Sequence, residues 1–162
     1  MADQKQQTKK GAAEIQLVIF RLAGEEYGLD IAQVREIIRM QNITPMPKAP
    51  DFIEGVINLR GQIIAVMDLA SRFGLVSEKR TDKARVVVTV VKDNTVGLIV
   101  DEVPEVLRIS EETIEPTPQL LASQVHADFI RGVGKLTDRL VIILDANKIL
   151  SHEEVDDVKR IS

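Results

Sequence analysis

The chain has 162 residues, a formal net charge of −4 at neutral pH and an isoelectric point near 5.3. This acidic balance argues against general binding to nucleic acids or anionic membranes. Hydrophobic residues make up 44% of the chain but aromatic residues only 3%, which predicts an aliphatic, strand-rich core. Because cysteine is absent, disulfides, thiolate nucleophiles and cysteine-based metal sites are excluded.

The first 13 residues are polar and aperiodic, and they predict a disordered tail over residues 1–13. They lack the apolar centre of a signal peptide. No apolar run in the chain approaches the ~20 residues that a membrane-spanning helix requires. We therefore expect a cytoplasmic protein without direct membrane insertion.

Two segments predict β-hairpins, because in each a turn separates two runs of β-branched and other apolar residues. Residues 15–31 turn at Gly24, Glu25 and Glu26, and residues 86–103 turn at residues 92–94. Both predict pairs of antiparallel strands.

Prolines interrupt the chain at two places, because proline cannot donate to a strand ladder. Pro45, Pro47 and Pro50 predict an extended loop after the first hairpin, and Pro116 and Pro118 predict another in the second half.

Helices are expected to be short. Asp68 precedes a short apolar run that Gly74 ends, which predicts a capped helical turn. Ser151 and Glu154 have the spacing of a capping box, which predicts a C-terminal helix within residues 151–162.

The two halves of the chain repeat each other. Residues 27–40 align with residues 96–109 at an offset of 69 (97 − 28), and residues 52–73 align with residues 129–150 at an offset of 77 (132 − 55). Matched pairs include Leu29 with Leu98, Val34 with Val103, Glu36 with Glu105, and Phe52 with Phe129. The repeat predicts a mainly β fold of two pseudo-symmetric five-stranded barrels packed on a shared aliphatic seam.

The predicted domain covers residues 15–150, with one half over about 15–80 and the other over about 81–150. Halves of this size bury little surface alone, so we expect them to unfold together. The repeat leaves open whether the halves exchange strands.

Residues that recur in both halves are expected to serve the barrel. Asp68 and Asp145 recur before helical runs, which favours capping over catalysis. Gly55 and Gly132 also recur, and we interpret them as the ends of helical turns.

Residues 57–69 place two apolar runs around Arg60 and Gly61, which predicts a further hairpin, and its tip differs between the halves. Arg60 and Gly61 lie opposite Thr137 and Asp138 in the alignment. Two interpretations of Arg60 follow: a solvent-facing residue in a turn that needs glycine, or a residue displayed for contact with a partner.

The sequence offers little catalytic chemistry. Phosphate-loop, dinucleotide-binding and nucleophile-elbow motifs are absent, and His126 and His152 are expected to be exposed residues without metal-binding partners. An acid/base hydrolase would need Asp68 or Asp145 to converge with Glu102. We therefore favour a binding protein and expect neither a metal nor a cofactor.

A binding barrel would use strand edges and hairpin tips. Val34, Ile38, Met40, Leu59 and Val106 are apolar residues near turns or strand ends, and burial in the core is the alternative for each. A small barrel that binds nucleic acid is a rival function. The acidic charge and the few aromatic residues weigh against it.

Three segments carry a family resemblance: residues 25–38, residues 52–69 with the run GVINLRG, and residues 96–107. In this order they resemble the CheW family, the coupling proteins of bacterial chemotaxis. The resemblance covers residues 15 to about 150. The chain resembles the free-standing members of the family, because we recognise no kinase or receiver domain in it.

The resemblance implies two SH3-like barrels and a noncatalytic adaptor. Such an adaptor holds the histidine kinase CheA, through its regulatory domain, to the cytoplasmic tips of methyl-accepting chemotaxis receptors in arrays at the membrane.

The resemblance also assigns residues. The positions that face the receptor correspond to Val34, Glu36, Gly55, Asn58, Leu59 and Arg60. An apolar groove flanked by one arginine would suit a receptor helix that carries carboxylates. Ile38 and Met40 are candidates for kinase binding. Leu120 is a candidate for a second kinase contact, and burial over the barrel is the alternative.

Overall fold

The computed structural model describes residues 13–76, 79–116 and 127–161. The described strands are β1 (Glu14–Leu22), β2 (Glu25–Asp30), β3 (Val34–Arg39), β4 (Gly55–Leu59), β5 (Gln62–Asp68), β6 (Arg85–Val91), β7 (Asn94–Val100), β8 (Glu102–Ser110), β9 (Ile114–Glu115), β10 (Ile130–Lys135) and β11 (Leu140–Leu144). The α-helices are α1 (Leu69–Arg72) and α2 (His152–Ile161), and single 3-10 turns lie at Ile31–Gln33, Glu111–Thr113, Ala127–Phe129 and Ala146–Lys148.

The strands form two sheets, which confirms the predicted mainly β fold class. The six-stranded sheet has the order β8-β1-β2-β11-β10-β9, and the five-stranded sheet has the order β3-β6-β7-β5-β4. Neighbouring strands are antiparallel except for two repeat-related pairs, β2 with β11 and β7 with β5, which are parallel.

The halves exchange their first hairpins. The hairpin β1–β2 of the first half lies in the six-stranded sheet with β8 to β11 of the second half. The hairpin β6–β7 of the second half lies in the five-stranded sheet with β3 to β5 of the first half. Each sheet therefore needs strands from both halves.

Among the described residues the core has three parts, and the largest is a cluster between the two sheets, called the seam below. Phe20 and Leu29 enter the seam from the six-stranded sheet, and Met67 and Leu98 enter it from the five-stranded sheet. Separate clusters fill the interior of the six-stranded sheet (Leu17, Ile19, Leu107, Ile109, Leu136, Val141, Ile143) and that of the five-stranded sheet (Ile57, Ile64, Val66, Val86, Val88, Ile99). Because β1 and β6 bury both faces, they contain continuous apolar runs rather than strict alternation.

Arg72 fastens the seam at one end. Its guanidinium carbon lies 5.5 Å from the ring centroids of both Phe52 and Phe129, which are repeat-related. Its Nε donates to the carbonyl oxygen of Ile149 at 3.2 Å, and its Nη2 pairs with Glu154 Oε1 at 2.5 Å. One side chain thus joins both halves and α2.

The predicted helix caps are present. Asp68 Oδ1 accepts from the backbone N–H of Ala70 at 3.1 Å, and Gly74 follows α1 with a φ of +74°. Ser151 and Glu154 form the reciprocal capping box, with bonds of 2.9 and 3.2 Å. Asp145 caps the 3-10 turn after β11.

The interpretation of Gly55 and Gly132 as helix ends is wrong, because both lie in strands. A Cβ at Gly55 would lie 2.5 Å from the carbonyl oxygen of Thr44, and one at Gly132 would lie 2.7 Å from that of Glu115. Glycine is required in both halves because a neighbouring backbone passes too close for a side chain.

The predicted turns need small corrections. The first hairpin turns at Ala23 and Gly24, so that Glu25 and Glu26 belong to β2. The second turns at residues 92–93, both of which have positive φ. The tail over residues 1–12 and the predictions for Pro118, Leu120 and His126 lie outside the described residues.

The loop with Pro45, Pro47 and Pro50 connects β3 to β4 and, as expected, forms little ladder: its one isolated bridge pairs Thr44 with Val56. Within the three described ranges, no helix is long and apolar enough to cross a membrane.

Candidate functional site: the hairpin tip of the five-stranded sheet

The turn between β4 and β5 is a tight two-residue turn. Arg60 and Gly61 have φ values of +50° and +88°, which suit the twist of the flanking strands. Asn58 Oδ1 accepts from the backbone N–H of Gly61 at 2.8 Å and holds the turn closed. The tip is therefore a rigid base for the Arg60 side chain.

Arg60 points into solvent and has a partner. Its side chain is 70% exposed, and its Nη2 donates to Glu36 Oε2 on β3. The hydrogen bond to Glu36 and the charge of that carboxylate raise the pKa of Arg60. Because guanidinium carries five N–H donors, this pair orients the group and leaves donors for a further acceptor.

A pocket of about 550 Å³ lies elsewhere at the sheet junction, whereas the pocket at this tip has a volume of about 250 Å³. The tip pocket is lined by Arg35, Glu36, Leu59, Arg60, Gln62, Ile64, Val88 and Thr95. Arg35 Nη1 donates to Thr95 Oγ1 at 2.9 Å across it. At this tip, two arginines rather than one border a small, partly apolar floor.

Four of the six residues expected to face a receptor meet at this tip: Glu36, Asn58, Leu59 and Arg60. Leu59 is half-buried against the interior of the five-stranded sheet, whereas Asn58 is exposed. Val34 begins β3 and is half-buried against the seam. It therefore lies on the same strand as Glu36 but faces the junction of the two sheets.

Gly55 does not join the others. It is buried at the opposite end of β4 from Leu59, a separation of about 13 Å along an extended strand. Since it presents no side chain to solvent, it can act on the tip only through the backbone.

The residues expected to face a kinase lie farther along the same sheet. Ile38 on β3 and Met40 just after it are half-buried against the interior of the five-stranded sheet. Both side chains thus partly fulfil the alternative expectation that they are buried in the core. Val106, by contrast, is 40% exposed on β8.

Sequence reasoning missed a second arginine site. Arg139 Nε pairs with Glu26 at 2.5 Å, its Nη2 with Glu105 at 2.6 Å, and its Nη1 with Asp138 at 3.0 Å. Burial lowers the pKa of Arg139, but the hydrogen bond to Glu26 and the surrounding carboxylates outweigh it and raise the pKa. The alignment of Glu36 with Glu105 was the available signal.

Exposed apolar residues also follow the repeat. Ile37 on β3 corresponds to Val106 on β8, and Ile63 on β5 corresponds to Leu140 on β11; all four are exposed. Each half thus carries two exposed apolar residues in matching positions, and each also has an Arg–Glu pair.

The carboxylates of the rival hydrolase have other roles. Asp68 and Asp145 cap helical turns in separate halves, and Glu102 pairs with Arg21 at 3.3 Å and with Lys83 at 3.7 Å. Among the described residues, no group of three histidine, aspartate or glutamate side chains could hold a metal ion.

The aromatic side chains do not form a surface for stacking bases. Phe20, Tyr27, Phe73 and Phe129 are buried in the seam, and Phe52 packs beside it under Arg72. The rival function of binding nucleic acid thus lacks its stacking surface.

Comparisons with known proteins agree on one family. The family model described as a CheW-like domain matches residues 16–154. The chain is 37% identical to a chemotaxis protein CheW of Klebsiella aerogenes, covering 90% of this chain and 89% of that protein. It is 36% identical to a chemotaxis protein CheW of Rhizobium meliloti, covering 86% and 89%.

A solved structure agrees with these matches. The crystal structure of the scaffolding protein TtCheW from Thermoanaerobacter tengcongensis has a TM-score of 0.80 to this fold at 37% identity. The match covers 90% of this chain and 93% of that one. From its sequence, its two sheets and these relatives, the chain belongs to the CheW family.

Proposed function

We propose that this protein is a noncatalytic adaptor that joins the cytoplasmic tips of chemoreceptors to the histidine kinase CheA in bacterial chemotaxis. Its relatives are named chemotaxis proteins, and one is titled a scaffolding protein. The carboxylates at Asp68 and Asp145 serve as caps, which agrees with a role in binding rather than catalysis.

The proposed receptor face consists of Glu36, Asn58, Leu59 and Arg60 at the tip, together with Val34 on β3, which faces the junction of the two sheets. The observation that carries this assignment is the exposed Arg60 guanidinium, which Glu36 orients above a rigid turn. A receptor tip is a helical hairpin, and a carboxylate on such a helix could accept the remaining guanidinium donors while an apolar residue packs on Leu59.

Gly55 supports the receptor face indirectly. It keeps β4 close to the backbone of Thr44, and β4 carries Asn58 and Leu59. A side chain at Gly55 would displace β4 and, with it, the turn that bears Arg60.

The kinase contact is assigned to the other end of β3. Ile38 and Met40 are half-buried there and could pair with a barrel of similar fold in the regulatory domain of CheA. Leu120, which lies outside the described residues, is proposed as a second kinase contact.

Such an adaptor works through moderate interfaces that are used many times. Each contact can be weak, because an array of receptors, adaptors and kinases raises the effective concentration of every partner. The protein would act in the cytoplasm and be recruited to receptor arrays.

The test is a pull-down of purified CheA with a receptor cytoplasmic fragment, using the wild type and Arg60→Glu in parallel. Reversal of the charge should weaken receptor binding about ten- to hundredfold, because the receptor carboxylate would meet a like charge. CheA should still be retained. Arg160→Glu is the matched control, since its side chain on α2 is 76% exposed.

The outcomes separate the function from the site. If the wild type bridges receptor and kinase while Arg60→Glu retains only the kinase, both proposals stand. Equal receptor binding by Arg60→Glu and Arg160→Glu would remove Arg60 from the site. If the wild type binds neither partner, the adaptor function is wrong.

A further inference from the structure

Gln33 is the last residue before β3 and makes contacts with both sheets. Its side-chain Nε2 donates to Asp145 Oδ1 at 3.0 Å, and its Oε1 accepts from the backbone N–H of Ala146 at 3.1 Å. Its own carbonyl oxygen accepts from the hydroxyl of Thr89, which is completely buried in β6. The side chain of Gln33 thus bonds the segment that follows β11, and its backbone carbonyl bonds β6 of the five-stranded sheet.

The chemistry of the partners fixes the orientation of the Gln33 amide. A backbone N–H can only donate and a carboxylate oxygen can only accept, so Oε1 must face Ala146 and Nε2 must face Asp145. A carboxylate at position 33 would keep the bond from the N–H of Ala146. It would lose the bond to Asp145 and place a negative charge beside it.

The segment that Gln33 contacts crosses from one sheet to the other. Asp145 directly follows β11 of the six-stranded sheet and caps the 3-10 turn Ala146–Lys148. Asn147 Oδ1 in that turn accepts from the backbone N–H of Lys92, in the β6–β7 turn of the five-stranded sheet, at 3.0 Å. The five-stranded sheet therefore contacts this turn through Lys92 and, next to β3, through Gln33.

In the described part of the other half, the equivalent residues make different contacts. The alignment pairs Gln33 with Glu102, whose carboxylate bonds Arg21 and Lys83 instead. The repeat-equivalent of Asp145 is Asp68, which Arg80 contacts at 3.4 Å. The Gln33 amide thus comes from the half that carries the proposed receptor face, and its partners come from the other half.

We propose that Gln33 is a positioning residue for the receptor face: its amide registers the start of β3, and hence Val34 and Glu36, against the six-stranded sheet. The effect on receptor binding rests on the proposed function, whereas the effect on the position of β3 does not. Because Glu36 orients Arg60, a displaced β3 start would also move the guanidinium. Gln33 itself need not touch the receptor.

A charge exchange tests the pairing. Gln33→Glu places two carboxylates together without a donor, whereas Asp145→Asn in the same chain restores an N–H donor to the carboxylate at position 33. Asparagine also caps helical turns well. Because Asp145 Oδ1 accepts both from Gln33 and from the backbone N–H of Asn147, the asparagine of the combined variant must turn its Nδ2 towards position 33 and keep its Oδ1 on Asn147. The variants are Gln33→Glu, Asp145→Asn and their combination, and Gln16→Glu on the exposed face of β1 is the matched control.

Two measurements are made on the full chain. One is the affinity for the receptor cytoplasmic fragment; the other is the hydrogen exchange of the β3 amides in the free protein. Gln33→Glu should weaken binding about tenfold and speed exchange in β3, and the combined variant should restore both to within about threefold. Gln16→Glu should change neither.

Several results would overturn the proposal. Unchanged β3 exchange in Gln33→Glu would show that the amide does not hold the strand. A loss of binding that Asp145→Asn fails to restore would point to a general effect of charge or folding. If the wild type does not bind the fragment, the proposed function fails, and the exchange measurement alone decides whether Gln33 positions β3.

Discussion

The two hairpin tips of this protein occupy matching places in the repeat but differ in their use of arginine. In β4–β5, Arg60 lies in the turn itself and, among the described residues, meets one carboxylate, that of Glu36. In β10–β11, Arg139 lies just after the turn and meets three, with only 30% of its side chain exposed. Arg139 lies two alignment positions after the equivalent of Arg60. With this shift, the guanidinium is paired within the barrel instead of being exposed at the tip.

What the halves share is as informative as the difference. Both require glycine where a strand passes close to a neighbouring backbone, at Gly55 and at Gly132. Both also place glutamate at the same strand position, Glu36 and Glu105, to receive an arginine. The shared features belong to the fold, whereas the position of the arginine differs between the halves.

The largest effect is expected from the shared glycines. Gly55→Ala and Gly132→Ala should each lower the free energy of unfolding by about 2–3 kcal/mol, because the added Cβ would overlap a backbone oxygen. Denaturant unfolding monitored by circular dichroism measures the change. Gly28→Ala is the control, since its Cβ would make ordinary contacts at 3.4 Å and should cost less than about 1 kcal/mol.

Unequal losses in the two glycine variants would break the structural equivalence of the halves. A near-neutral Gly55→Ala would further mean that the backbone of Thr44 can move aside.

The arginines should respond differently to charge reversal. Arg139→Glu would place a fourth carboxylate beside Glu26, Glu105 and Asp138, and it should lower the free energy of unfolding by about 1–3 kcal/mol. Arg60→Glu should leave that free energy unchanged, since its site is open to solvent. Thermal unfolding of both variants at low and moderate salt makes the comparison.

If Arg60→Glu proves as destabilising as Arg139→Glu, both arginines fasten the fold and the difference between the tips disappears. A stable Arg139→Glu variant would instead show that its three ion pairs contribute little.

The smallest effect concerns Tyr27, whose repeat-equivalent is Val96. Burial, and then the charge of Glu25, raise the pKa of Tyr27 above its ordinary value of 10.0. Stability from this group is therefore complete below pH 10 and is lost as the pH rises towards the folded-state pKa. Tyr27→Phe should lack this loss.

The difference in stability is measured by unfolding the wild type and Tyr27→Phe between about pH 8 and about pH 11. This range spans the ionisation of an unperturbed tyrosine. Identical curves for the two proteins would show that Tyr27 ionises as easily in the folded state as in the unfolded one.

Local features of this fold were predictable because they depend on neighbouring residues. The caps at Asp68 and Ser151 and the turn at residues 92–93 follow from side chains within a few positions. The apolar runs on either side of Arg60 and Gly61 predicted a hairpin tip next to Leu59, and the resemblance grouped Glu36 with these residues; the structure brings Leu59, Arg60 and Glu36 together.

Features that depend on distant parts of the chain were not predictable. Gly55 was misread because the backbone of Thr44 that excludes its side chain reaches it only through folding. Arg139 was missed because it aligns with Gln62, so that only the recurring Glu105 marked the place of an ion pair. The exchange of hairpins leaves no trace in the alignment, since exchanged and unexchanged halves have the same local sequence.

The exchange of hairpins bears on how this protein could be divided. A cut between α1 and β6 would yield one fragment with β1 to β5 and another with β6 to β11, neither of which contains a whole sheet. Each fragment would hold the hairpin that completes the other, so that structure would appear only on reassembly. The fold is thus a natural scaffold for a split-protein sensor, in which the meeting of two fused partners is reported by the return of both sheets together.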